Sequence, residues 1–178
     1  MVRKEELLYR LEPLARQHDR DEFSCGVASI DAYLKTQASQ DMRRKANAVF
    51  VLVSEEAAGK VVGFFTLCAY GVSPKSIFDS IPEAARAHIP RYPVVSATLI
   101  GRLAVSVELQ GRGIGSILLA RALAKAYENA AVVGSSMVVV DAIDERAARF
   151  YQAHGFILLP ESMRLVLPMR TIAKLMPG

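Results

Sequence analysis

Three glycines alternate with other residues in Gln110-Gly111-Arg112-Gly113-Ile114-Gly115, a run set between an apolar strand-like segment and an amphipathic helical one. Glycines at a helix entry leave the first backbone N–H groups unobstructed, and the helix dipole favours an anion there. Arg112 can add a charge-assisted contact to phosphate. Two common phosphate-binding patterns do not fit. The ATP/GTP loop needs Lys-Ser/Thr after its last glycine, whereas Ser116-Ile117 follows here. The dinucleotide fingerprint needs a glycine where Ser116 stands, and it follows a first strand rather than lying beyond residue 100. Two readings remain: a ligand with phosphates that is neither a nucleoside triphosphate nor NAD, or a tight strand-to-helix turn that binds nothing.

Other reactive side chains are scattered. His18 and His88 are isolated, with no carboxylate partner legible for either, and His154 stands where an imidazolium would favour a helix C-terminus. Cys25 fits a packing residue at a helix entry, and Asp141 ends a strand, fitting a turn, a cap or a substrate contact. Phe150-Tyr151 reads by spacing as an aromatic pair closing a core. No Ser/His/Asp set and no metal-ligand cluster can be argued, so no metal is expected.

The elements that must position these groups follow from periodicity. Val27, Ile30, Leu34, Ala38 and Met42 recur at helical steps and predict a helix over 27–45, with Ser29 as its cap. Ala48–Val53 and Val61–Tyr70 read as a hairpin around the turn 54–60. An irregular stretch with Pro74, Pro82, Pro90 and Pro93 follows, with one helical turn near Glu83–Ala87. Val94–Val105 reads as a strand, Ile114–Ala130 as a helix and Met137–Asp141 as a buried strand. Asp144 caps a short helix that stops at His154-Gly155, and Ile157–Leu159 and Met163–Leu167 close the chain as short strands. The result is a mixed α+β domain spanning 1–178.

Composition bounds the class. An apolar fraction of 52% over 178 residues excludes disordered and low-complexity chains and leaves apolar surface for a partner, for which a homodimer is expected. Two cysteines suit a reducing cytoplasm, and no run is long enough to span a membrane. The opening Met1-Val2-Arg3-Lys4-Glu5-Glu6 has no apolar leader region. The net charge of +4 is uneven, with Lys35, Arg43, Arg44 and Lys45 opposed only by Asp41 within 35–45. That segment is either a solvated face or a surface for a phosphate backbone.

Arg102-Leu103-Ala104-Val105 followed by Gln110 to Gly115 resembles the acetyl-coenzyme A motif of the GNAT acetyltransferases, and Phe150-Tyr151-x-x-x-Gly155-Phe156 resembles that family's second signature. Phe23-x-Cys25-Gly26, Ile30-Asp31-x-Tyr33-Leu34, Gln40-Asp41 and Leu167-Pro168-Met169 are similar to its toxin branch, encoded with ribbon-helix-helix antitoxins and acting on the amino group of aminoacyl-tRNA. The resemblance implies a GNAT fold: a central mixed, mostly antiparallel sheet flanked by helices, with a parallel strand pair splayed at the acetyl-CoA site. It implies that main-chain groups of Leu103, Ala104 and Val105 hold the acetyl carbonyl and pantetheine. Gln110, Gly111, Arg112, Gly113, Ile114, Gly115 and Ser116 would hold the pyrophosphate. Tyr151 matches the general acid beside the departing sulfur. Lys35, Arg43, Arg44 and Lys45, with Arg86 and Arg91 from the proline-rich stretch, would face the acceptor.

No Glu or His stands where a general base can be assigned. An α-amine, with a reference pKa of about 7.7–8.0, is partly neutral at cytoplasmic pH, whereas a lysine near 10.4 is not. The chemistry therefore suits an α-amino acceptor. The expected activity is acetyl-CoA-dependent N-acetylation of aminoacyl-tRNA, toxic through blocked translation. The alternatives are acetylation of a small amine, antibiotic or peptide N-terminus, and a coenzyme A-binding protein without turnover.

Overall fold

A computed structural model describes residues 8–57 and 59–177; the expectation for Met1–Glu6 lies outside them. Seven strands form one sheet in the order β1-β2-β3-β4-β5-β7-β6. They are β1 (Tyr9–Pro13), β2 (Ala48–Ser54), β3 (Val61–Val72), β4 (Val95–Val105), β5 (Met137–Asp141), β6 (Ile157–Leu158) and β7 (Arg164–Pro168). The pairs β1–β2, β2–β3, β5–β7 and β6–β7 are antiparallel, and β4–β5 is parallel. This is the expected mixed, mostly antiparallel sheet. β4 pairs with β5 only from Ala97 to Ile100, so its last five residues run on beyond the parallel ladder.

The chain divides into two compact units, residues 1–68 with 101–122, and residues 69–100 with 123–178. In the first, alternation along β2 turns Val49, Val51 and Val53 to one face, where they pack with Phe23, Tyr33, Leu34, Ala38, Phe64 and Ala104. The helix over them runs as α1 (Ala28–Ala32), a π-turn (Tyr33–Gln37) and α2 (Ala38–Arg43). The π-turn admits one residue beyond the 3.6 period, so adjacent Tyr33 and Leu34 are both buried. Ser29 does not cap this helix. The N-cap is Val27 with no side-chain bond, and Asp31 reaches back instead, accepting from Cys25 N at 2.8 Å and Ser24 Oγ at 3.0 Å. The helix ends before the predicted 45: Arg44 is its C-cap, and Lys45 follows in the left-handed region at φ 60°.

In the second unit, Val72, Ile77, Ile81, Ile89, Val95, Ala97, Met137, Val139 and Val166 share a core. Short helices α3 (Lys75–Phe78) and α4 (Glu83–Arg86) occupy the proline-rich stretch. The helix α5 (Ile114–Ala130) and strand β5 have the predicted bounds. Helix α6 (Glu145–Ala153) starts as predicted, with Asp144 Oδ1 accepting from Ala147 N at 2.8 Å. Strand β1 and helix α7 (Met169–Ala173) were not anticipated. Among the described residues no helix is long and apolar enough to cross a membrane.

Candidate functional site

The end of β4 departs from a regular strand. Val49–Thr66 and Val51–Phe64 are register partners of β2 and β3 and so share a face. Ala104 packs on that face, and a Cβ built on Gly101 would sit 3.0 Å from Thr66 Oγ1 on the same side. Positions three apart in a regular strand face opposite ways, so the alternation of β4 is interrupted between Gly101 and Ala104. Ala104 and Val105 are buried and Leu103 half-buried, which leaves the main chain of this stretch to do any binding.

Beyond β4 the chain passes a 3-10 turn (Val107–Leu109) into the glycine run. Gly111 and Gly113 have φ of 75° and 83°, a region open to glycine and strained for other residues. Nothing lies within 4 Å of a Cβ built on either one. The first bonds into α5 run from Ser116 N and Ile117 N to Gly113 O, so the amides from Arg112 to Gly115 precede the helical ladder. With exposed Arg112 beside them, these donors fit a diphosphate. The Gln110 carboxamide does something else: Nε2 donates to Cys25 O at 2.9 Å and Val105 O at 3.0 Å, tying the turn to the Cys25-Gly26 loop.

The same unit holds a cluster that sequence reasoning missed. The Arg102 guanidinium carbon lies 3.5 Å from the centre of the Tyr33 ring. Tyr33 Oη donates to Asp41 Oδ2 at 2.9 Å, and Asn47 Nδ2 donates to the same oxygen at 2.9 Å. Burial, and then the Asp41 carboxylate, push the Tyr33 phenol upward, while the Tyr33 and Asn47 hydrogen bonds hold Asp41 below its ordinary value. The pairing of Tyr33 with Asp41, eight residues apart, is the one part a helical spacing could have suggested. Lys35, Arg43, Arg44 and Lys45 are all exposed.

In the second unit, Tyr151 lies on α6, only 8% exposed, with its ring edge-on to Phe150 at 5.2 Å and Phe156 at 5.4 Å. Burial alone pushes its phenol up to about 12. It is thus both a core aromatic and a neutral O–H donor throughout the working pH range. Arg86 and Arg91 come together with Pro74, Phe78, Glu83, Ala87 and Tyr92 around an open cavity of ≈ 600 Å³. Arg86 Nε also donates to Ile81 O at 2.7 Å, and Tyr92 is 68% exposed.

The remaining candidates resolve into structural roles. His18 is not isolated: its Nε2 is 2.7 Å from Glu12 Oε2 and its Nδ1 accepts from Ala15 N at 2.9 Å. That partner was hidden because Glu12 lies on the unanticipated β1. Asp141 receives two bonds from Arg164, at 2.7 and 2.9 Å, across its register pair in β5–β7. Cys25 is buried, and burial followed by the Asp31 hydrogen bond pushes its thiol up to about 11, away from nucleophile behaviour. The His154 ring lies 2.7 Å from Phe150 O at the end of α6. Among the described residues, the carboxylates whose pKa is clearly displaced (Glu12, Asp31, Asp41) are displaced downward, opposite to what a general base needs. Among the described residues no group could hold a metal ion.

Comparison with known proteins defines the class. The Acetyltransferase (GNAT) domain family matches residues 45–158. The chain is 31% identical over 153 residues to the tRNA-acetylating toxin of Mycobacterium tuberculosis (strain ATCC 25618 / H37Rv), covering 85% of this chain and 87% of that protein. It resembles the structure of AtaT complexed with acetyl-methionyl-tRNAfMet, at a TM-score of 0.84 and 27% identity over 94% of this chain and 98% of the other. It also resembles a tyrosine-to-phenylalanine variant of the AtaT toxin bound to the C-terminus of the antitoxin AtaR and acetyl-CoA, at a TM-score of 0.78 and 25% identity over 94% and 97%. The protein is therefore an acetyltransferase. It belongs to the GNAT family.

Proposed function

We propose that this protein transfers the acetyl group of acetyl-CoA to the α-amino group of aminoacyl-tRNA and acts as the toxin of a toxin–antitoxin pair. The observation that carries this reading is its 31% identity to a tRNA-acetylating toxin across 85% of the chain. Acetyl-CoA supplies an activated acetyl group. Main-chain amides at Leu103, Ala104 and Val105 orient the acyl and pantetheine end. Those of Gly111 to Gly115, with Arg112 and the start of α5 at Ser116, hold the diphosphate. Gln110 serves by bracing that turn rather than by direct contact.

Tyr151 donates a hydrogen bond to the sulfur as negative charge develops there. With its phenol near 12 and an alkyl thiol near 8.5, full proton transfer is uphill by roughly 5 kcal/mol, so the phenol stabilises charge rather than surrendering its proton early. No strong base is needed, because the acceptor amine is partly neutral on its own. Lys35, Arg43, Arg44 and Lys45, together with Arg86 and Arg91, attract the phosphate backbone of the acceptor. We further propose a homodimer in the cytoplasm and a ribbon-helix-helix antitoxin that covers the basic surface. The reading is tested with purified protein, labelled acetyl-CoA and bulk aminoacyl-tRNA. Label should enter charged tRNA and not uncharged tRNA. Turnover of small amines or lysine peptides, with none of charged tRNA, overturns it.

A further inference from the structure

Arg102 is a cation held in a fixed direction by an aromatic ring. Its side chain is half-buried, and among the described residues it makes no hydrogen bond and no ion pair. Its five N–H donors thus have no protein acceptor among the described residues, and those shut off from water are costly unless another group receives them. Its direction is nonetheless fixed. The guanidinium face rests on Tyr33, Tyr33 is anchored through its hydroxyl to Asp41, and Asn47 anchors Asp41 in turn. Stacking uses the face of the group and leaves its edge, which carries the donors, for an oxyanion that offers two oxygens side by side, as a phosphodiester does. On the neighbouring strand β3, beside Gly101, Thr66 Oγ1 is buried with no hydrogen-bond partner among the described residues. The Cys68 thiol lies near enough for Arg102 to act on its pKa, yet burial pushes that thiol up and it stays neutral, so the opposing charge comes from Asp41, which Arg102 helps to hold low without a direct ion pair.

We infer that Arg102, stacked on Tyr33, clamps a phosphodiester of the acceptor close to the amine that receives the acetyl group. The placement follows from the chain: Arg102 immediately precedes the Leu103–Val105 main chain assigned to the acyl end. The donor's diphosphate is provided for at Gly111–Gly115, and its 3′-phosphate lies beyond that diphosphate at the end away from the acetyl group, which leaves the acceptor as the source of an anion beside the acyl end. The clamp distinguishes a nucleic-acid acceptor from a free amino acid or peptide, and it rests on the tRNA reading above.

The test compares wild type with Arg102→Ala, Arg102→Lys and Tyr33→Phe on two acceptors. One is bulk aminoacyl-tRNA; the other is 3′-aminoacyl-adenosine, which keeps base, ribose and α-amine but has no phosphate. On aminoacyl-tRNA, Arg102→Ala should raise KM at least 30-fold with kcat changed less than threefold. On aminoacyl-adenosine its loss in kcat/KM should be at least tenfold smaller. The slope of log KM against log salt should fall by about one, as expected for one phosphate contact. Arg102→Lys should restore less than a tenth of the lost affinity, because an ammonium cannot stack, and Tyr33→Phe should show a smaller loss of the same kind. Equal losses on both acceptors, or weakened acetyl-CoA binding by calorimetry in Arg102→Ala, overturns the clamp. If that variant does not fold, Arg102→Lys carries the test, and full activity in it overturns the stack. Wild type inactive on charged tRNA overturns the functional reading itself, a result read without any variant.

Discussion

Replacing Tyr151 by Phe removes one oxygen from a side chain that is only 8% exposed. The ring keeps its edge-on contacts with Phe150 and Phe156, at 5.2 and 5.4 Å, and the hydroxyl has no hydrogen bond among the described residues. Folding stability should therefore change by less than about 1 kcal/mol. Catalysis should not be spared. With the phenol pushed up to about 12, Tyr151 is a neutral donor across the working range, and deleting one such donor from a water-poor site costs roughly 10²–10³ in kcat, or about 2.7–4 kcal/mol. The assay is single-turnover acetylation of aminoacyl-tRNA, with calorimetry of acetyl-CoA binding alongside and affinity expected within threefold of wild type. The pH profile separates the groups. In wild type, kcat/KM should rise through the acceptor amine near pH 7.7–8.0 and then stay level, because a phenol near 12 leaves no alkaline limb below about pH 10. Turnover above one tenth of wild type in Tyr151→Phe, at saturating substrates, refutes the donor role. An alkaline limb below pH 10 that vanishes in the variant would keep the donor role and refute the raised phenol instead.

Three further outcomes follow from named contacts. Thr66→Val replaces a buried hydroxyl without a partner by a methyl of the same shape and should stabilise the fold by about 1 kcal/mol in urea titrations. Lower stability would mean that the hydroxyl has a bonding partner in solution. Charge reversal at Arg43 and Arg44, both exposed, should raise KM for aminoacyl-tRNA at least tenfold and flatten its salt dependence, with acetyl-CoA affinity unchanged by calorimetry. Glu12, Asp31 and Asp41 are all held below their ordinary pKa values. Their contribution is complete above about pH 5 and is lost as pH falls through the depressed values, so urea midpoints should drop between pH 5 and 3. Asp41→Asn should shrink that drop.

What the sequence disclosed and what it hid divide along a physical line. The glycine turn was legible because residue type dictates backbone there: φ of 75° and 83° at Gly111 and Gly113 are conformations that other residues resist. Helix α5 and strand β5 were legible to the residue because long apolar periods, broken by glycine or charge, leave no competing pattern. Strand β1 was not, because five residues alternating with Arg10 and Glu12 and ending in Pro13 carry too weak a period to be told from a charged surface segment, and with it went the Glu12–His18 pair. Gln110 was placed at the right turn, but its bond to Cys25 joins residues 85 apart in the chain, beyond any local signal. The Arg102–Tyr33 stack was hidden for a more specific reason. Each partner sits where a regular period is interrupted, the π-turn at Tyr33–Gln37 and the break in β4 alternation between Gly101 and Ala104. Periodicity assigns faces by counting, and an interruption makes the count wrong at the place where a side chain has been re-aimed. Such interruptions cost stability and persist where the new direction has a use. Two such interruptions converge on one guanidinium that is stacked yet makes no hydrogen bond among the described residues, and that convergence is the physical reason to look for its ligand.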